Sequence, residues 1–321
     1  MICNKLIMKN ILFLLALLLC CSTQLQAQDV VCDTFHYATH DGQELYLDRY
    51  VADVEVKEQR PCMIFAFGGG FVRGQRNTPF YVGYFESLAR EGIVVLSIDY
   101  RLGLKESNGG GGVKNVVEVM SRAVRIAVED IYAATNYVVD NAASWGVDTD
   151  AIMLSGSSAG AIASIQAEWL RANGSAVAAV LPAGFRYAAV VACAGAIFST
   201  DGGPKFATTP APMLLFHGTS DSNVPYNKAA ILRTGFYGSK YIAKQLDRID
   251  AAYMFYSEEY ADHRLAGTPL IDKCDLIMQF IRDYVIEGQH LQTTINVESI
   301  DAEKRKTRFT PMDYIRTNYK R

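Results

Sequence analysis

Two alternating apolar–polar runs flank Asp41-Gly42 in the stretch CDTFHYATHDGQELYLDRYV (32–51), the pattern of a hairpin with one face covered. The pattern then changes. CMIFAF (62–67) is continuously apolar and stops at glycines, as a strand buried on both faces would. Residues 80–91 space their apolar side chains for a helix, and IVVLSID (93–99) is a second buried strand. Residues 104–115, with Gly109 to Gly112, have loop composition. A long helical pattern covers roughly 116–141, followed by the strand AIMLS (151–155) and a helix from Ala159. YAAVVACAG (187–195), MLLFHG (213–218) and AYMFY (252–256) are further strands, with helical patterns over 227–247 and 269–286. Such alternation predicts an α/β fold, a mostly parallel sheet with helices on both faces and the hairpin as an antiparallel N-terminal edge. Residues 287–321 are polar and mildly basic, and no element is assigned to them.

The first 27 residues stand outside this pattern. Lys5 and Lys9 precede a short apolar run, Ile11 to Leu19, and Ala27 stands before Gln28 as a cleavage position, so 1–27 reads as a secretory signal. The run is shorter than the roughly 20 residues that span a bilayer, and no stable membrane insertion is expected. Cys20 and Cys21 raise a lipid-anchored alternative, but Leu19 stands where such signals carry a small residue. The expected organisation is a signal, one domain over 28–290, and a C-terminal extension over 291–321. A formal net charge of −3 offers no field to gather nucleic acid. Cys32, Cys62, Cys193 and Cys274 remain after the signal, widely spaced, which argues against a zinc knuckle or redox pair and for buried free thiols.

Two short stretches carry candidate chemistry. Gly156-Ser157-Ser158-Ala159-Gly160 matches G-x-S-x-G between a strand and a helix, where a sharp turn would lift the Ser158 hydroxyl above the sheet edge. The competing reading is a serine-rich helix cap, with Ser155 or Ser157 capping. Phe67-Gly68-Gly69-Gly70-Phe71 ends the earlier strand, and alone it could be an ordinary turn. Acyl transfer, however, needs backbone N–H groups aimed at a developing oxyanion, and glycine permits that close approach. Gly69, Gly70 and Ala159 are the three candidate donors.

With these residues in place, the chain resembles the carboxylesterase and hormone-sensitive-lipase-like branches of the α/β-hydrolase superfamily. FGGGF, DYRLG (99–103), GSSAG and HGTSDSNVP (217–225) fall in that family's order over about residues 33 to 286. The QLQAQ ending of the signal is similar to that of exported Bacteroides-type proteins. The resemblance implies an eight-stranded, mostly parallel sheet and a Ser-Asp-His triad in chain order. One departure stands out: the family's histidine before the glycines is Phe67 here.

Asp221 follows its strand by three residues, where the family places the triad acid; an Asx-turn aspartate is the bland alternative, and Glu258 and Glu259 are weaker substitutes. Of five histidines, His36 and His40 precede the nucleophile, His217 reads as structural, and His290 lacks a matching context. His263, after the final strand and before a helix, is the implied base, with a surface-loop histidine as the alternative. Asp99 and Arg101 are read as fixing loops by ion pairing, and Asp130 pairs with Arg101 or is solvated.

The implied reaction is two-step acyl transfer on a carboxylic ester, with no metal or cofactor. The substrate expected is a small-molecule or glycan-linked ester, such as an acylated plant glycan. An amidase, formamidase or peptidase on the same scaffold is the main rival. A non-catalytic binding protein is disfavoured because all three triad types are present. Oligomeric state has no signal in the sequence.

Overall fold

The computed structural model describes residues 29–54, 59–105, 112–298 and 303–319. The expected signal, 1–27, lies outside the described residues. A long hairpin, β1 (Val30–His40) and β2 (Gln43–Ala52), turns at Asp41-Gly42, both with positive φ. It borders a parallel set of β3 (Arg60–Ala66), β4 (Val94–Ile98), β5 (Val147–Ser157), β6 (Ala189–Cys193), β8 (Met213–Gly218) and β11 (Tyr253–Glu258). With β12 (Gln292–Val297) at its far edge, the sheet order is β1-β2-β4-β3-β5-β6-β8-β11-β12, antiparallel only at its first two pairings.

Every residue of β4, β6 and β8 is buried, which requires cover on both faces. Helix α1 (Pro79–Arg90) packs with α5 (Pro269–Asp272) and α6 (Cys274–Phe280), while α2 (Gly112–Trp145) packs with α3 (Ala159–Ala172). The buried Arg101–Asp130 pair (Nε–Oδ1 3.0 Å) ties the DYRLG loop to α2, the alternative in which Asp130 is paired rather than solvated.

Three stretches differ from the sequence expectation. The sheet has nine strands rather than eight, because β12 (Gln292–Val297), from the unassigned C-terminal stretch, pairs in parallel with β11. The helix expected over 227–247 begins only at α4 (Ser239–Arg248). Before it, β9 (Lys228–Ile231) and β10 (Thr234–Gly238) form a hairpin paired with β7 (Ala196–Ser199). Ala229, Ala230 and Ile231 have helical composition. Gly238, however, is a close-approach position where a Cβ would lie 1.6 Å from Pro225 O. Tertiary pairing overrides propensity there. The third stretch, 269–286, is broken into α5, α6 and a wide helical turn over 281–286.

The four cysteines among the described residues are all free, Cys62 and Cys193 buried as expected, Cys32 exposed and Cys274 partly so.

Candidate active site

From β3 the chain passes to β4 on one side and later returns to β5 on the other. That reversal leaves a crevice beyond the carboxyl ends of β3 and β5, the place where open parallel sheets bind ligands. Ala66 of β3 is in register with Gly156 of β5. Two residues further along each strand stand Gly68 and Ser158. Topology alone therefore sets the glycine run against the serine.

Ser158 has φ +50° and ψ −113°, a strained backbone for a residue with a side chain. Its N–H donates to Cys193 O (2.8 Å), and its carbonyl accepts from Ile162 N–H (2.9 Å). Space explains the flanking glycines. A Cβ on Gly160 would sit 2.0 Å from Ala66 O, and one on Gly156 would sit 2.4 Å from Gly160 C. Ser158 occupies the N-cap of α3 without capping it by side chain, and Oγ instead lies 2.9 Å from His263 Nε2. Neither neighbour supports the cap reading: Ser155 Oγ meets Tyr84 Oη (3.1 Å), and Ser157 Oγ accepts from Tyr81 Oη (3.2 Å).

The glycine run lies beside this turn, since a Cβ on Gly68 would be 3.4 Å from Ser158 Cβ. Gly68 N–H donates to Tyr81 Oη (3.3 Å), whereas the N–H groups of Gly69 and Gly70 find no acceptor among the described residues. Ala159 opens α3, and first-turn N–H groups have no partner within their own helix. Gly69 (φ +131°) admits no side chain, because its Cβ would sit 1.9 Å from Arg73 O. Gly70 (φ +66°) faces open space. The Phe67 ring stacks on Tyr100 at 4.5 Å, and Tyr100 Oη donates to Phe67 O (2.7 Å). Aromatic packing thus holds the loop where the resembled family uses a histidine.

Asp221 and His263 leave the adjacent strands β8 and β11, paired in parallel register to Gly218 and Glu258. Gly218 lets the two loops close, because a Cβ there would lie 2.2 Å from Ala261 O. Ser220 N–H donates to Ala261 O (2.9 Å). His263 Nδ1 is 2.8 Å from Asp221 Oδ2, so Ser158, His263 and Asp221 form one hydrogen-bonded chain. Asp221 Oδ1 accepts from the N–H groups of Asn223 (2.8 Å) and Val224 (2.9 Å). Asp221 is fully buried, and burial by itself would raise its pKa. Hydrogen bonding to His217 and His263 and the electrostatic pull of those rings outweigh burial and hold the carboxyl well below the usual carboxylate range.

His217, read as structural, is buried against the same carboxylate. Its Nε2 lies 3.4 Å from Asp221 Oδ2 and 3.2 Å from Val224 O, both acceptors, so that nitrogen carries a proton. Nδ1 meets Ser239 Oγ at 2.8 Å. The remaining histidines lie elsewhere: His36 meets Thr39, His40 meets Asp130, and His290 is near Asp250. Glu258 pairs with Arg264, away from the His263 ring. Tyr81 was hidden in the sequence because it reads as one more apolar residue of an amphipathic helix.

The BD-FAE family model matches residues 47–195. Fumonisin B1 esterase of Sphingopyxis macrogoltabida is 32% identical over 130 residues, which are 37% of this chain and 22% of that protein. Phenmedipham hydrolase of Pseudarthrobacter oxydans is 35% identical over 103 residues, 32% of this chain and 18% of that one. Carboxylesterase 1C of Rattus norvegicus is 34% identical over 119 residues, 37% and 20% of the two chains. The chain thus spans about a fifth of the length of the relatives it matches. Among solved structures, Thermogutta terrifontis esterase 2 superposes with a TM-score of 0.58 at 22% identity, over 81% of this chain and 96% of that one. The likeness at that identity is one of fold.

Proposed function

We propose that the chain is a serine hydrolase of the α/β-hydrolase superfamily that cleaves carboxylic esters, with Ser158 as nucleophile, His263 as base and Asp221 as orienting acid. The observation that carries this reading is the chain Ser158 Oγ–His263 Nε2 (2.9 Å) and His263 Nδ1–Asp221 Oδ2 (2.8 Å) at a strained strand-to-helix turn. An ester as substrate is supported by the chain's similarity to fumonisin B1 esterase and carboxylesterase 1C.

The steps follow from position. His263 Nε2 takes the Ser158 proton as Oγ attacks the acyl carbon, and Asp221, held ionised, stabilises the imidazolium. The N–H groups of Gly69, Gly70 and Ala159 receive the oxyanion. Collapse gives the acyl-enzyme as His263 returns the proton to the leaving alcohol. Water, deprotonated by His263, then releases the acid and frees Ser158.

For the natural substrate, the reading extends to acyl groups on plant glycans, resting on the export signal read in residues 1–27 and on analogy of compartment. Release of acetate or ferulate from acylated xylan by purified protein tests it. Intact mass of native material tests export, the expected mature start being Gln28 without lipid.

The central test is labelling by a fluorophosphonate probe together with p-nitrophenyl ester turnover. Ser158→Ala should lose labelling and all but about 10⁻⁴ to 10⁻⁶ of turnover while keeping its circular dichroism spectrum. Labelling that persists on Ser157, or turnover that survives in folded Ser158→Ala, rejects the assignment.

A further inference from the structure

Loops that carry catalytic groups are held by a scaffold, and here part of that scaffold comes from beyond the α/β domain. Helix α7 (Pro311–Tyr319) begins with a capping box: Thr310 Oγ1 accepts from Asp313 N–H (3.3 Å), and Asp313 Oδ2 accepts from Thr310 N–H (2.7 Å). Pro311 stands at its first position, and Lys306 Nζ adds an ion pair to Asp313 (3.0 Å). The helix start is therefore well defined.

From this helix Tyr314 reaches the acid loop. Its hydroxyl donates to the backbone carbonyl of Asp221 (3.3 Å). The phenol thus ties the start of the loop 221–226 to the helix. Burial and the nearby Asp221 charge push its pKa up, so the phenol stays protonated and able to donate. One turn on, Asn318 Nδ2 donates to Asn223 O (2.9 Å), midway along the same loop. The base loop is met as well. Arg305 pairs with Asp262, whose carboxylate also accepts Arg264 N–H (3.1 Å) and which immediately precedes His263. Strand β12 secures the approach to that loop, with Glu259 N–H donating to Val297 O (2.8 Å).

The inner sides of the two loops are tied to each other through Ser220 and Ala261. Without Tyr314 and Asn318, the outer side of 221–226 would lose the donors to two backbone carbonyls, those of Asp221 and Asn223. We propose that residues 305–318 are a positioning clamp for the acid–base pair, with Tyr314 as its central positioning residue. This inference rests on the Ser158–His263–Asp221 reading. The clamp works through Asp221 and does not touch substrate, so it acts on turnover and leaves ground-state binding alone.

The test uses the full-length protein with Tyr314→Phe, which keeps the ring and removes the hydrogen bond to Asp221 O, and the double variant Tyr314→Phe/Asn318→Ala. Both are compared with wild type well below the unfolding temperature. The double variant should lose about tenfold in kcat, less than the ~10²-fold that a 1 Å misplacement can cost, with KM unchanged. The rate of fluorophosphonate labelling at Ser158 should fall by the same factor, since it reads nucleophile activation without a product step. Arg305→Ala should show a smaller loss that Arg305→Lys restores. Wild-type kcat and labelling rate in the folded double variant would overturn the clamp while leaving the triad intact. Absence of Ser158-dependent labelling in wild type would overturn the triad reading, and the clamp with it. A merely structural role would lower the unfolding temperature with no change in kcat.

Discussion

The nucleophile side of the site and its acid–base side are built by different means. Ser158 and the glycine run come from two short stretches, 66–74 and 155–162, whose strands are hydrogen-bonded neighbours. Their geometry is set by absent side chains: Gly156, Gly160 and Gly69 each sit where a Cβ would overlap backbone. Asp221 and His263 are 42 positions apart and stand on longer loops. They are held by side chains from several elements, among them His217, Arg305, Tyr314 and Asn318. Steric exclusion tolerates no substitution, whereas a hydrogen-bonded brace can be removed one contact at a time. The first side should fail abruptly and the second by degrees.

The largest contrast lies within the nucleophile side. Gly160→Ala forces its Cβ onto Ala66 O and should cost at least about 4 kcal/mol of stability or yield no soluble protein. Gly70→Val meets no protein atom at its Cβ; a β-branched residue at φ +66° is strained by about 1–3 kcal/mol, which the fold should survive. The valine would then intrude on the space left for the oxyanion and lower kcat about 10²–10³-fold with less effect on KM. Denaturant melts and steady-state kinetics on one acetyl ester separate the two, and near-wild-type kcat in folded Gly70→Val would make FGGGF an ordinary turn.

On the other side, smaller effects are expected. His217→Leu removes one donor from the buried Asp221 carboxylate and should cost about 1.5–3 kcal/mol of stability. Its kcat should fall about tenfold, by loss of one orienting contact. Recovery in His217→Gln, which keeps an N–H, would assign the loss to that donor, and an unchanged kcat in both would return His217 to a purely structural part.

The mildest test is of pH. The Asp221 carboxyl is held below its usual range, so its contribution to stability is present above the unfolded-state pKa of about 3.9 and is lost as pH falls through the folded value. The stability gap between wild type and Asp221→Asn, from urea midpoints, should be constant from pH 7 to about 5 and shrink below about 4. A gap that widens toward pH 3 would contradict the depressed pKa.

Much of the nucleophile side was legible in the sequence, because glycines at fixed offsets between a buried strand and a helix are a local signal. Asp221 and His263 could be assigned through family order and by elimination among five histidines, but their hydrogen bond could not. Tyr81 and His217 gave no local sign of their contacts, since a hydroxyl or imidazole inside an apolar run reads as core. The segment beyond 290 did carry a readable cue. Thr310-Pro311-Met312-Asp313 is a capping box with proline at the first helical position, and it marks the start of α7.

The sequence by itself determined the α/β alternation, the strained turn at Ser158 and the glycine positions, because each depends on residues close along the chain and on which side chains are missing. Tertiary structure decided the ninth strand, the β9–β10 hairpin in place of a helix, the stacking of Phe67 on Tyr100, and the bracing of the acid loop by α7. These arise from contacts between residues roughly 30 to 95 positions apart in the chain. Such contacts form only where the folded sheet brings their surfaces together, and periodicity along the chain carries no record of that meeting.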